Sequence, residues 1–301
     1  MSRFPTRFAI LGPTASGKSS LAVEVARRIG GTVVNGDPFQ AFAGLAIGTG
    51  QPTEVERGGV PHLGYGVFPL SRGVNPADFG RQVRQWLEGV PSPILVTGSG
   101  LYLRGIWDQL SPLPEVPETL VAKVRRLQEG LGSRTLHRFL AAVDPLRAAQ
   151  LHPNDGGRVQ RALALHLATG RPPSGLLEGV IRGVPEGWRA LLVLPSRTLQ
   201  RERVARRVAA MVEAGWPEEV RRAVASGWEA DLRRLRPIGY EPWLEGGDPG
   251  AIQARIIQET QAYAKRQVTY FRNQWPEIPV WDPDMEPVET ALERMGINPP
   301  S

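Results

Sequence analysis

The stretch FAILGPTASGKSS, residues 8–20, decides the fold of this chain of 301 residues. Its first four residues are apolar and predict a short buried strand. Apolar residues then recur at helical spacing from Leu21 to Ile29, and Gly30 and Gly31 end that pattern. A strand, a glycine-rich loop and a helix in this order are typical of the opening unit of a parallel α/β sheet.

The loop between this strand and this helix has the composition of a phosphate-binding site. Glycines allow backbone N–H groups to converge on anionic oxygens, and the start of the helix adds a favourable electrostatic potential. Lys18 supplies a point charge, and the hydroxyl of Ser19 can hold a magnesium ion. The spacing is that of the phosphate-binding loop, and a chance glycine-rich turn is the alternative. The predicted site consists of Gly12, Pro13, Thr14, Ala15, Ser16, Gly17, Lys18 and Ser19.

Strands and helices continue to alternate after this unit. Residues 32–34 predict a second strand, and residues 93–97 (PILVT) predict another that ends in a glycine-rich turn. A helix is predicted to start at Asn75 and Pro76, because these residues are typical of an N-cap and a first helical position. This alternation predicts a parallel sheet whose connections are right-handed crossovers.

The pattern changes in the middle of the chain, where helical segments follow one another without a strand. We predict an α/β fold with a core like that of the P-loop nucleoside triphosphatases, in which helices flank a parallel sheet, plus an all-helical insertion. The core is predicted at residues 1–113 and 188–301, and the insertion at residues 114–187. The second part of the core ends in basic helices and one edge strand from the tail after Pro276.

The composition limits the classes of protein to which the chain can belong. Cys is absent, which excludes disulfides and thiolate metal sites and fits a reducing compartment. No apolar run approaches the roughly 18–20 residues that cross a membrane, and we expect a cytoplasmic protein without a membrane partner. The net charge is +6, nearly all of the positive charge being Arg. This composition is compatible with nucleic acid, although a GC-rich genome would explain it as well.

The strand PILVT lacks the acidic residue of a nucleotide hydrolase. Such enzymes end a comparable strand in an Asp that holds magnesium, whereas this strand ends in Thr97 and Gly98. The sequence therefore argues against an ATPase motor. Asp37 follows the second strand, and the carboxyl ends of neighbouring parallel strands face one crevice. Asp37 is thus a candidate proton acceptor beside the phosphates, with a turn or capping role as the alternative.

Arginines form two further clusters. Arg203 and Arg207 lie four residues apart on one face of a helix predicted for residues 199–214, and we expect at least one of them to reach the crevice. Arg158 and Arg161 share a face of an insertion helix. For this second pair, contact with phosphates and a plain surface position are equally open.

Taken together, the motifs resemble those of the bacterial tRNA dimethylallyltransferases, also called tRNA isopentenyltransferases. GPTASGKS at residues 12–19 matches the loop of that family almost letter for letter. In VVNGDPFQAFAGLAIGTGQPT, residues 33–53, the family's second motif is matched by Asp37, Gln40, Ile47, Gly48 and Thr49. Six more segments follow in the family's order: NPADF, PILVTGSGLYLRG, LHPNDGGRVQRALAL, TGRPPS, IGYEPWLEG and YAKRQVTYFR.

This resemblance implies transfer of a dimethylallyl group from dimethylallyl diphosphate to N6 of the adenosine immediately 3′ of the anticodon in tRNA. The loop then holds the diphosphate of the donor instead of ATP. By the same resemblance, Asp37, Ser99 and Arg203 are catalytic, with Asp37 accepting the proton of the adenine amine and Arg203 engaging phosphate. Mg²⁺ is the implied cofactor, with Ser19 and Ser99 as its candidate ligands.

The resemblance also implies how tRNA is held. The target base must leave the stacked loop, and the helical insertion is expected to bind the anticodon stem-loop of the tRNA. Pro38 replaces a usual Ser, Phe39 a common basic residue, Gln261 a frequent Arg and Val121 another Arg, so tRNA affinity and selectivity are expected to differ from those of the family. Nothing in the sequence indicates an obligate dimer, and we expect a monomer. The implied tRNA-binding positions are Asp37, Pro38, Phe39, Gln40, Arg158, Gln160 and Arg161.

Three other functions are compatible with parts of the pattern. A small-molecule kinase with a phosphate-binding loop would also place a carboxylate after the second strand, but it gives no role to the helical insertion. A prenyltransferase acting on free adenine nucleotides is a nearer alternative. A non-catalytic RNA-binding protein with a structural anion is the third, and the presence of Asp37, Lys18 and Ser19 together argues against it.

Overall fold

The computed structural model describes residues 7–111, 113–177 and 183–297. They form two compact units, one of residues 7–108 and 183–297 and one of residues 109–111 and 113–177. The sequence places the helical insertion at residues 114–187, whereas the second unit starts at Gln109. None of the helices in the described residues combines the length and the apolarity needed to cross a membrane.

A six-stranded parallel sheet forms the centre of the first unit and confirms the predicted α/β fold. The strand order is β3-β2-β4-β1-β5-β6, so that β1 lies between β4 and β5. Every pairing in this sheet is parallel. The strands are β1 (Arg7–Leu11), β2 (Thr32–Asn35), β3 (His62–Leu63), β4 (Pro93–Thr97), β5 (Trp188–Val193) and β6 (Val280–Trp281).

Helices make up most of the remaining described chain. Those of the first unit before Gln109 are α1 (Lys18–Ile29), α2 (Ala46–Thr49), α3 (Glu54–Arg57), α4 (Pro76–Glu88) and α5 (Gly100–Ile106). The second unit contains α6 (Glu118–Leu131), α7 (Ser133–Val143), α8 (Pro145–Ala149), α9 (Gly156–Thr169) and α10 (Pro173–Leu176). The first unit then continues with α11 (Arg197–Glu213), α12 (Trp216–Ala225), α13 (Glu229–Leu235), α14 (Tyr240–Glu245), α15 (Pro249–Gln274) and α16 (Val288–Arg294).

The central strand is apolar because the sheet is covered on both faces. Ala9 and Leu11 belong to one hydrophobic cluster, and Phe8 and Ile10 belong to another, as the two-residue alternation of a strand requires. β4 is likewise buried at all five positions, which explains the unbroken run PILVT. The polar residues Asn35 and Thr97 end β2 and β4, where loops of the site begin.

The helix starts follow local capping rules. Asn75 accepts a hydrogen bond from the backbone N–H of Asp78 at 2.9 Å and Pro76 is the first helical residue, as predicted for α4. Asp248 caps α15 in the same way, through the N–H of Ala251 at 2.8 Å. The second unit has its own apolar core, to which Val124, Leu136, Leu140, Val159 and Leu163 contribute.

Candidate active site

The phosphate-binding loop has the backbone conformation that its glycines suggest. Gly17 has a φ of 92° and Ala15 a φ of 58°, so the loop turns twice through the left-handed region before α1 begins at Lys18. A Cβ atom at Gly12 would lie 2.6 Å from the carbonyl oxygen of Val193 in β5. The first glycine is therefore required by close packing against the neighbouring strand.

Two buried glutamines hold the middle of this loop. The side chain of Gln267 in α15 accepts a hydrogen bond from the N–H of Thr14 at 2.9 Å and donates one to the carbonyl of Gly98 at 2.7 Å. Gln200 in α11 donates to the carbonyl of Thr14 at 3.2 Å. Gln267 thus ties the loop after β1 to the loop after β4, and Gln200 adds a second contact to Thr14. The sequence pattern assigned no role to either glutamine.

Lys18 is a partly buried cation at the start of α1. Its ammonium group donates a hydrogen bond to the carbonyl of Pro13 at 3.2 Å. Its pKa is lowered to about 8: burial is the largest cause, the charge of Arg207 also lowers the pKa, and the charge of Asp37 raises it in part. A phosphate anion bound by the loop would favour the charged form of this lysine.

Asp37 is held in place by the turn that follows β2. Its N–H donates to the side-chain oxygen of Asn35 at 2.8 Å, and its carboxylate accepts from the N–H of Phe39 at 3.0 Å. Asn35, which is fully buried, also donates to the carbonyls of Asp37 and Gly64, each at 2.9 Å. The carboxylate therefore combines the local bond expected of a turn residue with a position at the carboxyl end of the sheet.

The environment of Asp37 suits a proton acceptor. Burial raises the pKa of its carboxyl group above the usual 3.8, and this effect outweighs the lowering by the N–H of Phe39 and by the charge of Lys18. A raised pKa makes a carboxylate a stronger base than it is in water. Asp37, Lys18, Ser19 and Thr14 all line one cavity.

Arg207 supplies a second cation to this cavity. Its side chain lines the cavity with Asp37 and lies 3.5 Å from the carbonyl oxygen of Gly50. Arg203 forms an ion pair with Asp284 and lines a neighbouring depression with Ala15 and Gly17 of the phosphate loop. The sequence predicts that at least one of these two arginines reaches the crevice, and it is Arg207 that lines the cavity of Asp37.

Ser99 lies beside this cavity, at the residue before α5. Burial raises the pKa of the phenol of Tyr263, whose ring lines the cavity of Asp37, and the side chain of Ser99 lowers this pKa in part. The phenol therefore stays protonated at neutral pH. The N–H of Ser99 donates to Thr97 Oγ1 at 3.0 Å, and that hydroxyl donates to the carbonyl of Gly36 at 2.7 Å. Thr97 therefore ties together the ends of β4 and β2.

The predicted tRNA-binding residues of the first unit surround the same cavity. Gln40 and Phe39 line it, while Pro38 is buried and starts the short helical turn Phe39–Ala41. The Gln40 amide donates to the carbonyls of Thr49 and Gly50 at 3.1 and 2.8 Å. Gln40 is thus held by the backbone that follows Gly48 in the family's second motif.

The predicted tRNA-binding residues of the second unit lie on α9. Arg158 and Arg161 are exposed, and Arg158 forms an ion pair with Asp155 at 3.3 Å. Gln160 is half-buried and its amide lies 3.5 Å from the carbonyl of Val121 on α6. Arg161 therefore presents an exposed guanidinium, whereas Gln160 packs within the unit.

Oxygen donors are available for a hard cation beside the phosphate loop. Among the described residues there is no group of three or more His, Cys, Asp and Glu side chains that could hold a metal ion. Mg²⁺ commonly binds through one or two protein oxygens together with substrate phosphates and water. The exposed hydroxyl of Ser19 fits that mode, and Ser99 adds a second hydroxyl near the cavity.

The chain is similar to known proteins of one family. Residues 40–274 match the family described as IPP transferase. A protein of Methylobacterium radiotolerans named tRNA dimethylallyltransferase is 39% identical over 300 residues, which cover 96% of this chain and 97% of that protein. A protein of the same name from Geobacter metallireducens is 40% identical over 289 residues, which cover 91% and 93% of the two chains.

A solved structure agrees with both relatives. The crystal structure of the full-length tRNA isopentenylpyrophosphate transferase of Bacillus halodurans is 28% identical in sequence and has a TM-score of 0.66. The match covers 97% of this chain and 95% of that chain. These similarities in sequence and structure, over a chain whose first motif forms a phosphate-binding loop beside Asp37, show that the protein belongs to the IPP transferase family.

Proposed function

We propose that this protein transfers a dimethylallyl group from dimethylallyl diphosphate to N6 of an adenosine in tRNA and releases diphosphate. The observation that carries the proposal is the pairing of Asp37 with Lys18 in one cavity: a proton acceptor lies beside an anion-binding loop. The relatives named tRNA dimethylallyltransferase support the choice of substrates. Membership in the IPP transferase family supports the same class of reaction.

The reaction exchanges one bond for another without any oxidant or reductant. The nitrogen of the adenine amine forms a bond to the allylic carbon of the donor, and the bond between that carbon and the diphosphate oxygen breaks. Asp37 takes the proton that the amine loses. The electron pair of the broken bond stays on the diphosphate, which leaves as an anion on the phosphate loop.

Cations of the cavity stabilise the charge that develops on the leaving group. Lys18 is close to the loop amides, and Arg207 lines the same cavity, so both can neutralise a diphosphate as its charge grows. Magnesium, when bound, would add Lewis-acid stabilisation of the diphosphate, and Ser19 and Ser99 are its proposed protein ligands. Arg203 would assist from the adjacent depression, where it lies beside Ala15 and Gly17.

The acceptor is proposed to be the adenosine immediately 3′ of the anticodon. An adenine amine inside a stacked loop is out of reach, so the base must be extruded into the cavity, at an unstacking cost of a few kcal/mol as an order of magnitude. Phe39, Gln40 and the apolar side chains of Val208 and Trp216 line that cavity and can surround a flat base and a prenyl chain. The anticodon stem-loop would be bound in part by α9, through Arg158, Gln160 and Arg161.

Both the location and the oligomeric state belong to the proposal. A tRNA-modifying activity implies a cytoplasmic protein, because its substrate is found there. We also propose that the protein acts as a monomer, because nothing in the sequence indicates an obligate dimer.

One experiment separates this function from its rivals. The protein is incubated with labelled dimethylallyl diphosphate and magnesium, with unmodified tRNA or adenosine monophosphate as acceptor, and ATP hydrolysis is followed in parallel. We expect label in tRNA alone. Label in the mononucleotide would favour a prenyltransferase of free nucleotides, and ATP consumption with a small acceptor would favour a kinase.

A further inference from the structure

A carboxylate outside the cavity occupies an unusually buried position. Glu219 in α12 is only 3% exposed, and no Lys, Arg or His forms an ion pair with it among the residues that the structure describes. Burial of an unpaired charge is unfavourable unless several hydrogen bonds compensate for it. Glu219 therefore needs several hydrogen-bond donors around its carboxylate.

Three donors satisfy this carboxylate. Oε2 accepts from the N–H of Ile47 at 2.7 Å, and Oε1 accepts from the N–H of Gly48 at 2.9 Å. Oε1 also accepts from the hydroxyl of Tyr240 at 2.7 Å. Burial and the charge of Glu219 raise the pKa of Tyr240 well above its usual value of 10.0, so its hydroxyl remains a donor.

The N–H groups of Ile47 and Gly48, which Glu219 binds, belong to the turn that borders the cavity. Gly48 and Thr49 line the cavity together with Asp37, and the carbonyls of Thr49 and Gly50 accept the amide of Gln40. A Cβ atom at Gly48 would lie 2.1 Å from Trp216 Nε1 and 2.5 Å from the Tyr240 hydroxyl. The turn is therefore held on its amide side by Glu219 and on its carbonyl side by Gln40.

We infer that Glu219 and Tyr240 are positioning residues for the transfer reaction, acting through the turn Ile47–Thr49 on Gln40 and the acceptor side of the cavity. This inference rests on the proposed function for its kinetic consequence. Neither side chain lines the cavity in which the reaction is proposed, so their effect must be indirect. The phosphate loop is held separately, by Gln200 and Gln267, and donor binding should be spared.

Two substitutions separate the parts of this contact. Glu219→Gln keeps the volume but turns an NH₂ group toward one backbone N–H, so that two donors face each other. Tyr240→Phe removes one hydroxyl and leaves the hydrogen bonds from the N–H groups of Ile47 and Gly48 to Glu219 in place. We expect a larger effect from Glu219→Gln than from Tyr240→Phe, because only the former releases the turn.

The control is a buried neighbour that does not touch the turn through a hydrogen bond. Val220 in the same helix is 3% exposed and packs in the core, so Val220→Ala lowers stability without changing the bonds of Ile47 and Gly48. All three variants are compared with the wild type for melting temperature, for amide hydrogen exchange of residues 46–50, and for steady-state prenylation of tRNA.

The expected result has a kinetic and a structural part. In Glu219→Gln, exchange at residues 46–50 accelerates and kcat/KM for tRNA falls about tenfold, the equivalent of one broken interaction in the transition state, while KM for the donor stays within about twofold. Val220→Ala lowers the melting temperature and leaves exchange at the turn and kcat/KM close to the wild type.

Three outcomes would overturn the inference. Unchanged exchange at residues 46–50 in Glu219→Gln would mean that Glu219 does not hold the turn. Faster exchange with unchanged kcat/KM would mean that the turn does not position the acceptor. An equal fall of kcat/KM in Val220→Ala would mean that the kinetic effect of Glu219→Gln arises from lower protein stability alone. A wild type that does not prenylate tRNA refutes the proposed function and with it the kinetic part, whereas the exchange measurement still tests the hold on the turn.

Discussion

Lys18 at the start of α1 and Asp37 after β2 line one cavity, and the charge of each residue acts on the ionisation of the other. The carboxylate raises the pKa of the ammonium group, and the ammonium group lowers the pKa of the carboxyl group. Burial has the larger effect in both cases, so the pKa of Asp37 is raised and that of Lys18 is lowered. The pKa values of the proposed proton acceptor and of the proposed anion-binding cation are thus both shifted toward neutral pH.

These shifts predict a bell-shaped pH dependence of kcat/KM for the donor. On the acidic side, activity falls as Asp37 becomes protonated, at a pH above the usual carboxyl value of 3.8 because its pKa is raised. On the alkaline side, Lys18 loses its charge in the free enzyme near pH 8, and donor binding weakens above that pH. Initial rates from pH 4 to pH 10 at subsaturating donor test both limbs. A profile that stays flat through pH 9 would contradict the role of Lys18.

Replacement of the proposed base separates chemistry from binding. Asp37→Asn keeps the size and the acceptor oxygen for the N–H of Phe39, but it removes the proton acceptor. We predict that kcat falls on the order of 10²–10⁴-fold, the usual contribution of a general base. Binding of dimethylallyl diphosphate, measured by calorimetry, should change little. An Asp37→Asn variant with wild-type kcat would exclude this carboxylate as the base.

The two arginines of α11 should differ in kinetic effect. Arg207 lines the cavity of Asp37, so Arg207→Gln is expected to lower kcat about 10²-fold, as the loss of one buried donor to a developing charge does. Arg206, one position earlier, is exposed and serves as a matched control in Arg206→Gln. Single-turnover rates with saturating donor give the comparison. Equal rates in the two variants would show that Arg207 does not stabilise the leaving diphosphate.

The glutamine clamp predicts a coupled loss of stability and donor affinity. Gln267→Leu leaves the Thr14 N–H and the Gly98 carbonyl without their partner, each at a cost of about 1–3 kcal/mol of unfolding free energy. The released phosphate loop should bind donor and inorganic diphosphate more weakly. Gln258→Leu, on the same helix but exposed, is the control. Urea denaturation and diphosphate titration measure both effects, and unchanged diphosphate affinity would show that the clamp does not shape the loop.

Local patterns in the sequence predict the sheet and its phosphate loop well. The run Phe8–Leu11 is apolar because β1 is covered on both faces, and PILVT is apolar for the same reason in β4. The pair Asn75 and Pro76 marks the start of α4. β3 is missed because its two residues, His62 and Leu63, give too short a pattern to detect. The equally short β6 is predicted because it lies in the apolar part of the tail after Pro276.

The supporting residues of the site could not be predicted in this way. Gln267 and Thr14 are 253 positions apart, and no local pattern relates them. The burial of Glu219 depends on how α12 and α14 pack on the turn Ile47–Thr49. The motif IGYEPWLEG contains Tyr240 but gives no indication of this contact. The spacing of Arg203 and Arg207 shows that they share a helix face, but only the rotation of α11 against the sheet decides that Arg207 enters the cavity of Asp37.

The central claim is that the loop at residues 12–19 presents an isoprenoid diphosphate to an adenine amine beside Asp37. Its most direct measurement is nucleoside mass spectrometry of unmodified tRNA after incubation with the wild-type protein, dimethylallyl diphosphate and magnesium. We expect one dimethylallyl group on N6 of the adenosine that follows the anticodon, and on the order of 10²–10⁴-fold slower formation of this product with Asp37→Asn. Unmodified tRNA after wild-type treatment, with the donor intact, would contradict it.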